Sequence, residues 1–335
     1  MAGYNTIRGL RVKYLSADPA GAEAGQVWYN STTGNLRVDG IALASSWAAG
    51  GNLGTGRNGM GASGVQTASI TYGGQTAPGN ASKSLTETYN GTSWTEVGDL
   101  GTARYLGAPS MLGTQTATLY AGGSRQAPDI PTFNNTEVYD GSSWSEVNNL
   151  NTARTKVAGA GTSTSALAVA GQVSPPGVAN VEEWNGTSWS EETDIPAINR
   201  AMSGAGSQTA ALIVCGQNPT NGTTLEYDGS SWTAGGTISR STKTTLVGIG
   251  GNQTDATIFG GNEPASPYPN LTESYDGSSW TAQATMATGR QRMAEGGGTG
   301  SAALGSGGYQ NGNAAFAGTE EFTGATTIVK NLSVS

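Results

Sequence analysis

The sequence predicts an all-β protein built from repeated four-stranded units, and three observations carry that prediction. A tryptophan recurs at Trp47, Trp94, Trp144, Trp189, Trp232 and Trp280, at spacings of 47, 50, 45, 43 and 48 residues, and a period in this range marks a repeat architecture. One phrase is rewritten before five of these tryptophans: YNGTSW (89–94), YDGSSW (139–144), WNGTSW (184–189), and YDGSSW again at 227–232 and 275–280. Composition agrees, since 53 of the 335 residues are glycine and only 12% are charged, a balance that suits short strands and tight turns rather than long amphipathic helices.

The first 46 residues do not follow the full repeat. Within them GQVWYNSTTGNLRVDG (25–40) reads as strand, polar turn and strand, with Trp28 and Tyr29 on opposite faces. From Trp47 onward each unit has an arginine about ten residues after its tryptophan, then a Gly/Ala-rich stretch, then a short apolar run ending in glycine. These runs are ASITYGG (68–74), ATLYAGG (117–123), ALAVAGQ (166–172), ALIVCGQ (211–217), ATIFGG (256–261) and AALGSGG (302–308). Bounded apolar runs of this length read as buried strands forming the inner core of each unit. Variable loops rich in Pro, Asn and Gln follow, at 75–84, 124–135, 172–180, 217–224, 262–270 and 309–318. The last two strands of each unit meet at Asn-Gly or Asp-Gly, which predicts a two-residue type I′ hairpin whose central residues both need positive φ.

These features together resemble the kelch repeat: an arginine opening the first strand, a glycine pair closing the second, an acidic residue and tyrosine in the third, and a tryptophan at the fourth. The second unit matches best, with Arg104, Gly122-Gly123, Glu137, Tyr139 and Trp144. The third and fourth carry Gly-Gln at 171–172 and 216–217 where the pair belongs, and the last has Phe322 for Tyr and Thr327 near the expected Trp. The resemblance implies a six-bladed kelch-like β-propeller over 47–335, preceded by an attachment segment over 1–46. Because LRVDGIALASSW (36–47) also looks like the end of a repeat, there is one outer segment too many. Either the strand near Trp47 or TTIVKNLSV (326–334) completes the last blade, and closure of that kind protects open sheet edges.

The hairpin at 25–40 looks like a G-x-x-W-Y-N-x-x-x-G-x-L-x-V segment of tailed-bacteriophage fibre and virion proteins. That resemblance implies a phage origin, with Trp28 and Tyr29 as attachment residues.

The net charge of −8 without Lys/Arg clusters argues against nucleic acid as a partner. No apolar run of about 18 residues occurs, so no membrane insertion is expected, and the N-terminal residues lack a secretory apolar core, so synthesis in the host cytoplasm is expected. The single cysteine, Cys215, cannot form an intrachain disulfide and reads as a buried thiol. There is no histidine, which removes Ser-His-Asp and Cys-His catalysis, His-bearing zinc sites, and the copper site of galactose-oxidase-like kelch propellers. Carboxylates recur at Glu87, Glu137, Glu182, Glu226, Glu273 and Glu320, and recurrence at one repeat position is the behaviour of structural residues. No enzyme activity, metal or cofactor is expected.

One arginine per unit remains: Arg57, Arg104, Arg154, Arg200, Arg240 and Arg290. In one reading each pairs with a repeat glutamate or a loop carbonyl and locks neighbouring blades. In the other they bind a carboxylated or phosphorylated sugar, as a planar guanidinium can. The loops add Phe133, Tyr268 and Tyr309 as flat surfaces for sugar stacking. The resulting expectation is a non-catalytic virion protein on a tail, fibre or capsid surface. It would fasten to other virion proteins through its N-terminal segment, contact a host-surface polysaccharide through its loops, and act as a homo-oligomer on the particle. A decoration or adaptor protein with no host ligand, a polysaccharide depolymerase and a cellular kelch scaffold are the competing classes.

Overall fold

The computed structural model describes residues 12–19, 26–79, 81–125, 131–173, 177–217, 222–239, 247–263, 266, 268–294, 297–310 and 315–332. They contain strands and no helix, and they divide into two compact units: Met1–Ser45 with Ala325–Ser335, and Ser46–Gly324.

The larger unit consists of repeated antiparallel sheets of the propeller type. The first joins Gly61–Val65, Ala68–Tyr72, Thr86–Tyr89 and Trp94–Val97 in that order. The second joins Ala108–Pro109, Thr118–Ala121, Thr136–Tyr139 and Trp144–Val147. The third and fourth are Ala158–Thr162, Ser165–Val169, Val181–Trp184, Trp189–Glu192 and Met202–Ser207, Ala210–Cys215, Thr224–Tyr227, Trp232–Ala234. The fifth is Gly248–Asn252, Asp255–Phe259, Thr272–Tyr275, Trp280–Ala282. In the sixth, Leu304–Ser306 pairs with Thr319–Thr323, which pairs in turn with Ser46–Gly50. Its inner edge continues through Ala294 N–H to Ser306 O (3.0 Å) and Leu304 N–H to Gly297 O (3.1 Å).

Of the two candidates for the last outer strand, the one bearing Trp47 takes the place, with Trp47 opposite Phe322. The C-terminal strand Thr326–Leu332 instead pairs with Asn35–Leu43 in the smaller unit, so the larger unit ends at Gly324 rather than running to 335.

The apolar runs form the second strand of each sheet and are buried almost throughout. First strands need glycine because sheets converge there. A Cβ on Gly204 would sit 2.2 Å from the Gly159 carbonyl oxygen, and one on Gly159 2.0 Å from that of Pro109.

The repeated phrase has two separate duties. Tyr89 pairs with Trp94 across a connection of four residues, not two, and of Asn90 and Gly91 only Gly91 has positive φ (88°). The type I′ expectation therefore gives way to an Asx turn, in which the side chain rather than a second left-handed residue organises the chain. Asn90 Oδ1 accepts from the N–H groups of Thr92 and Ser93, both at 2.9 Å. Asp140, Asp228 and Asp276 do the same, and also accept from both serine hydroxyls.

The tryptophan closing the phrase staples its sheet to the preceding one. Trp144 Nε1 donates to Thr86 Oγ1 (3.0 Å), Trp189 to Thr136 (3.0 Å), Trp280 to Thr224 (2.9 Å), Trp47 to Thr272 (3.0 Å) and Trp94 to Thr319 (2.9 Å). In the third sheet Val181 replaces the threonine, and Trp232 turns to the Thr193 carbonyl at 2.9 Å. A second staple sits at the opposite end of the sheets, on the hairpins between first and second strands. There Gln66, Gln115, Gln208 and Gln253 each donate to two carbonyls of the previous sheet.

In the smaller unit Val27–Asn30 and Asn35–Leu43 form the expected hairpin, with Lys13–Leu15 parallel to its first strand. Trp28 is 1% exposed, and its Nε1 donates to Asp18 Oδ1 at 3.0 Å. Asn30 donates to the same oxygen at 2.8 Å and Arg37 pairs with Oδ2. The Asn30 and Trp28 donors hold this carboxyl below its ordinary pKa.

The serine-bound aspartates make the turns acid-sensitive in a defined direction. Amide and hydroxyl donors pull Asp140 and Asp228 from the ordinary 3.8 to about 2, and Asp276 lower still. A depressed carboxyl stabilises the fold fully above its unfolded pKa and progressively loses that contribution as pH falls through its folded one. Replacing all three by Asn, which serves at positions 90 and 185, should therefore flatten the loss of stability between about pH 4 and pH 2. Equal acid slopes in urea-unfolding midpoints of the two proteins would show that the turns do not contribute.

Candidate functional site

The loops after the second strands emerge at the end of the sheets where each arginine lies. Short bridges fix this: Asn58 with Gln75, Tyr105 with Ser124, Thr155 with Gln172, and Gln291 with Tyr309. Each bridge pairs the residue after a repeat arginine with the base of its own sheet's loop.

Arg57, Arg104, Arg154 and Arg290 are fully buried. They pair with Glu87 (2.7 Å), Glu137, Glu182 (2.9 Å) and Glu320 (3.1 Å) on the third strand of the same sheet. Their remaining Nη donors cap strand-end carbonyls; Arg154, for example, reaches Ala170 O at 3.0 Å and Asn180 O at 2.6 Å. Each glutamate also accepts from the connection arriving from the previous sheet: Gly54 N–H to Glu87 (2.7 Å), Gly101 to Glu137 (2.6 Å), Asn151 to Glu182 (2.7 Å), Ala287 to Glu320 (2.7 Å). All four arginines are thus internal locks, and their guanidinium groups offer no surface to a ligand. Arg240 lies outside the described residues.

Arg200 differs in a way that spacing alone could have revealed. The buried Leu53, Leu100, Leu150 and Met286 each lie four positions before their arginines, but Ile195 lies five positions before Arg200. Asn199 occupies the locking position, and its carbonyl accepts from Gly171 N–H (3.1 Å) as the Arg154 carbonyl does from Gly123 (2.9 Å). The lock's glutamate is missing as well. Leu225, not Glu226, is the second residue of its strand, pairing with Ile213; Glu226 faces the other way and accepts from Tyr275 Oη at 2.5 Å. The assignment of Glu226 to the repeat series is therefore corrected by one residue, and a one-residue change on a strand reverses the face.

The residues just after the locks line one continuous feature. Gly59 N–H donates to Arg292 O (2.8 Å), Leu106 to Gly59 O (2.9 Å), Lys156 to Leu106 O (2.6 Å) and Ala201 to Lys156 O (3.1 Å). This backbone chain passes from sheet to sheet and needs a left-handed residue at every step, with φ from 52° at Arg292 to 66° at Gly59. Lys156 (56°) and Arg292 hold such positions as bulky non-glycine residues, an arrangement that costs free energy and is found at functional sites.

Lys156, Arg200 and Arg292 are half-buried. Lys156 Nζ donates to Gln172 Oε1 (2.9 Å) and Arg200 Nε to Gln217 Oε1 (2.8 Å). Burial first, then the charges of Arg200 and Arg292, push the Lys156 ammonium below its ordinary pKa. Sequence reasoning singled out only Arg200 of the three.

The aromatic candidates sit on the loops of this end. Tyr268 and Tyr309 are half-buried, with ring centroids 6.3 Å apart, and Phe133 carries Arg125 over its ring at 6.0 Å. Of the proposed attachment residues, Trp28 is an internal support of its hairpin. Tyr29 is half-buried and packs on Tyr14, which is 76% exposed. At the other end of the larger unit, Val65, Met111, Leu112 and Gln115 line a recess of about 440 Å³. Among the described residues no group of three His, Cys, Asp or Glu side chains could hold a metal.

No protein-family model and no curated protein sequence matches this chain. A solved structure titled "Structure of YjhT" aligns with a TM-score of 0.66 over 83% of this chain and 99% of that one, at 10% sequence identity. A likeness at that identity defines the fold class, an all-β array of repeated antiparallel sheets of the propeller type, and leaves activity open.

Two outcomes follow from the site's architecture. Glu182→Leu alone strands a buried guanidinium and should cost about 3–5 kcal/mol, while Arg154→Asn with Glu182→Leu, the pair found at 199 and 225, should recover most of the loss; urea-unfolding midpoints of the two proteins decide this. Lys156→Gly should fold with stability equal to wild type or up to about 1 kcal/mol greater, because glycine suits the left-handed backbone. A clear destabilisation would mean that the Lys156 side chain holds the sheets together.

Proposed function

We propose that this chain is a non-catalytic recognition protein of a tailed-phage virion. In this reading Ser46–Gly324 is a closed six-bladed kelch-like propeller, whose sixth blade takes its outer strand, Ser46–Gly50, from the N-terminal side. The observation that carries the reading is the contrast between the two levels of one end. Below, four buried ion pairs fix the sheets; above, loops present cationic and aromatic side chains whose identity differs from repeat to repeat. A rigid base under variable loops is the usual layout of a binding face. Flat rings and polar amides suit a host-surface glycan, and closure is supported by the Trp94 bond to Thr319, which links the first sheet to the sixth. The smaller unit, with its exposed Tyr14 beside Tyr29, would fasten the protein to a fibre, tail or capsid neighbour.

Purified protein should adsorb to cells of the particle's host and lose that adsorption after periodate oxidation of surface glycans. An electron cryo-microscopy map of the particle should place the loops outward. Adsorption indifferent to periodate, or loops packed against other virion proteins, would favour an adaptor and sink the recognition reading.

A further inference from the structure

We infer that Lys156, Arg200 and Arg292 together form an anion-binding mouth that takes the carboxylate of an acidic sugar. The inference rests on the glycan-recognition reading and gives it a substrate class.

The argument begins with the displaced arginine. In the fourth repeat the buried pair is absent at both positions, Asn199 and Leu225, so no charge is left stranded in the interior. The guanidinium is carried one residue further, to the position held by Asn58, Tyr105, Thr155 and Gln291 in the other described repeats. There its Nε is bound to Gln217, and its two Nη groups make no hydrogen bond among the described residues. Among the described residues Arg292 makes no hydrogen bond or ion pair through its side chain, and its Nε is buried without a partner. Lys156 spends one donor on Gln172.

All three side chains leave from the same backbone chain of left-handed residues or from the residue before it, which brings them to one end of one unit. Both arginines act electrostatically on Lys156, and no carboxylate among the described residues does. Among the described residues none of the three cations makes an ion pair; like charges so placed repel one another, and an oxyanion relieves that repulsion. The rest of the protein is acidic, with a net charge of −8, so the mouth is a local reversal of the background field. Guanidinium groups with unused paired donors match the geometry of a carboxylate or a phosphate. Tyr309, whose backbone pairs with Gln291 beside Arg292, and its neighbour Tyr268 add ring faces on which a sugar can stack. That combination selects a sugar acid over a bare anion.

The test uses Lys156→Gly, Arg200→Asn and Arg292→Gly in one protein. Each new residue occurs at the equivalent position of the first repeat, at Gly59 or Asn58, so the variant is expected to fold; Arg200→Gln serves as a milder second variant, and thermal unfolding checks both. Full-length protein and variants are titrated calorimetrically with galacturonate oligomers, uncharged maltose oligomers and inorganic phosphate. Galacturonate oligomers should bind the parent protein, weaken with rising salt, and lose roughly tenfold or more in affinity in the triple variant, with a smaller loss in Arg200→Gln. Equal binding by parent and variant, or equal binding of neutral and acidic oligomers, overturns the inference while leaving glycan recognition standing. Phosphate binding that depends on the three residues, without binding of the acidic sugar, overturns the carboxylate assignment in favour of a phosphate group. If none of the three probes binds the parent protein, the mouth is not an anion site, and the glycan reading stands or falls on the adsorption experiment.

Discussion

The interaction on which the architecture depends is the buried arginine–glutamate pair at the base of each regular repeat. A guanidinium removed from water needs a charge and carbonyl acceptors around it, and a buried carboxylate needs amide donors as well. One pair therefore organises three pieces of chain at once. The arginine caps the end of the second strand, the glutamate holds the third strand beside it, and the spare carboxylate oxygen draws in the connection from the preceding sheet. Loss of one partner would leave an uncompensated charge in the interior, which explains why the fourth repeat has lost both. Asn199 and Leu225 are one change written at two places.

Contacts between sheets show the same compensation. The third residue of the third strand faces the aromatic residue of the next sheet. Where it is glutamate the neighbour is a tyrosine that donates to it: Tyr227 to Glu183 (3.2 Å), Tyr275 to Glu226 (2.5 Å) and Tyr89 to Glu321 (2.6 Å). Burial and the facing carboxylate hold these three phenols protonated, pushed up to about 12. Where that residue is Val138, the neighbouring aromatic is Trp184, and the two belong to one apolar cluster. The choice of Tyr or Trp in the repeated phrase thus answers a residue of the adjoining sheet, 44 positions earlier for Tyr227 and 49 for Tyr275, but near the other end of the larger unit's chain for Tyr89.

Much of this was legible in the sequence because it obeys the repeat. The apolar runs marked the second strands, the tryptophan period marked the sheets, and the Asp/Asn-Gly phrase marked the outer hairpins. The turn type was misread, because composition reports that glycine is needed but not that the preceding side chain supplies the acceptors. Glu226 was misassigned because TLEY and TETY look alike until strand alternation is counted from the threonine. The glutamine staples were visible in G-x-Q-T at 64–67, 113–116, 206–209 and 251–254, yet a polar residue in a tight hairpin carries no mark of the two carbonyls it serves. Lys156 and Arg292 were hidden for a different reason: they obey no repeat, and their importance appears only when the backbone brings them beside Arg200.

That hidden quality follows from how the mouth is built. The connection from sheet to sheet is made by main-chain N–H and C=O groups, and it is the same whether the two residues after the lock are Asn58-Gly59, Tyr105-Leu106, Thr155-Lys156, Arg200-Ala201 or Gln291-Arg292. Side chains at these positions are released from structural duty, apart from the left-handed φ they must tolerate. Natural selection can therefore change them one at a time without disturbing the sheets. Of the five described left-handed steps only Gly59 is glycine, and Leu106 and Ala201 belong to one apolar cluster. Lysine and arginine at two other steps, with a third cation displaced by one residue to join them, bring charge instead of apolar packing, which an anionic ligand would explain.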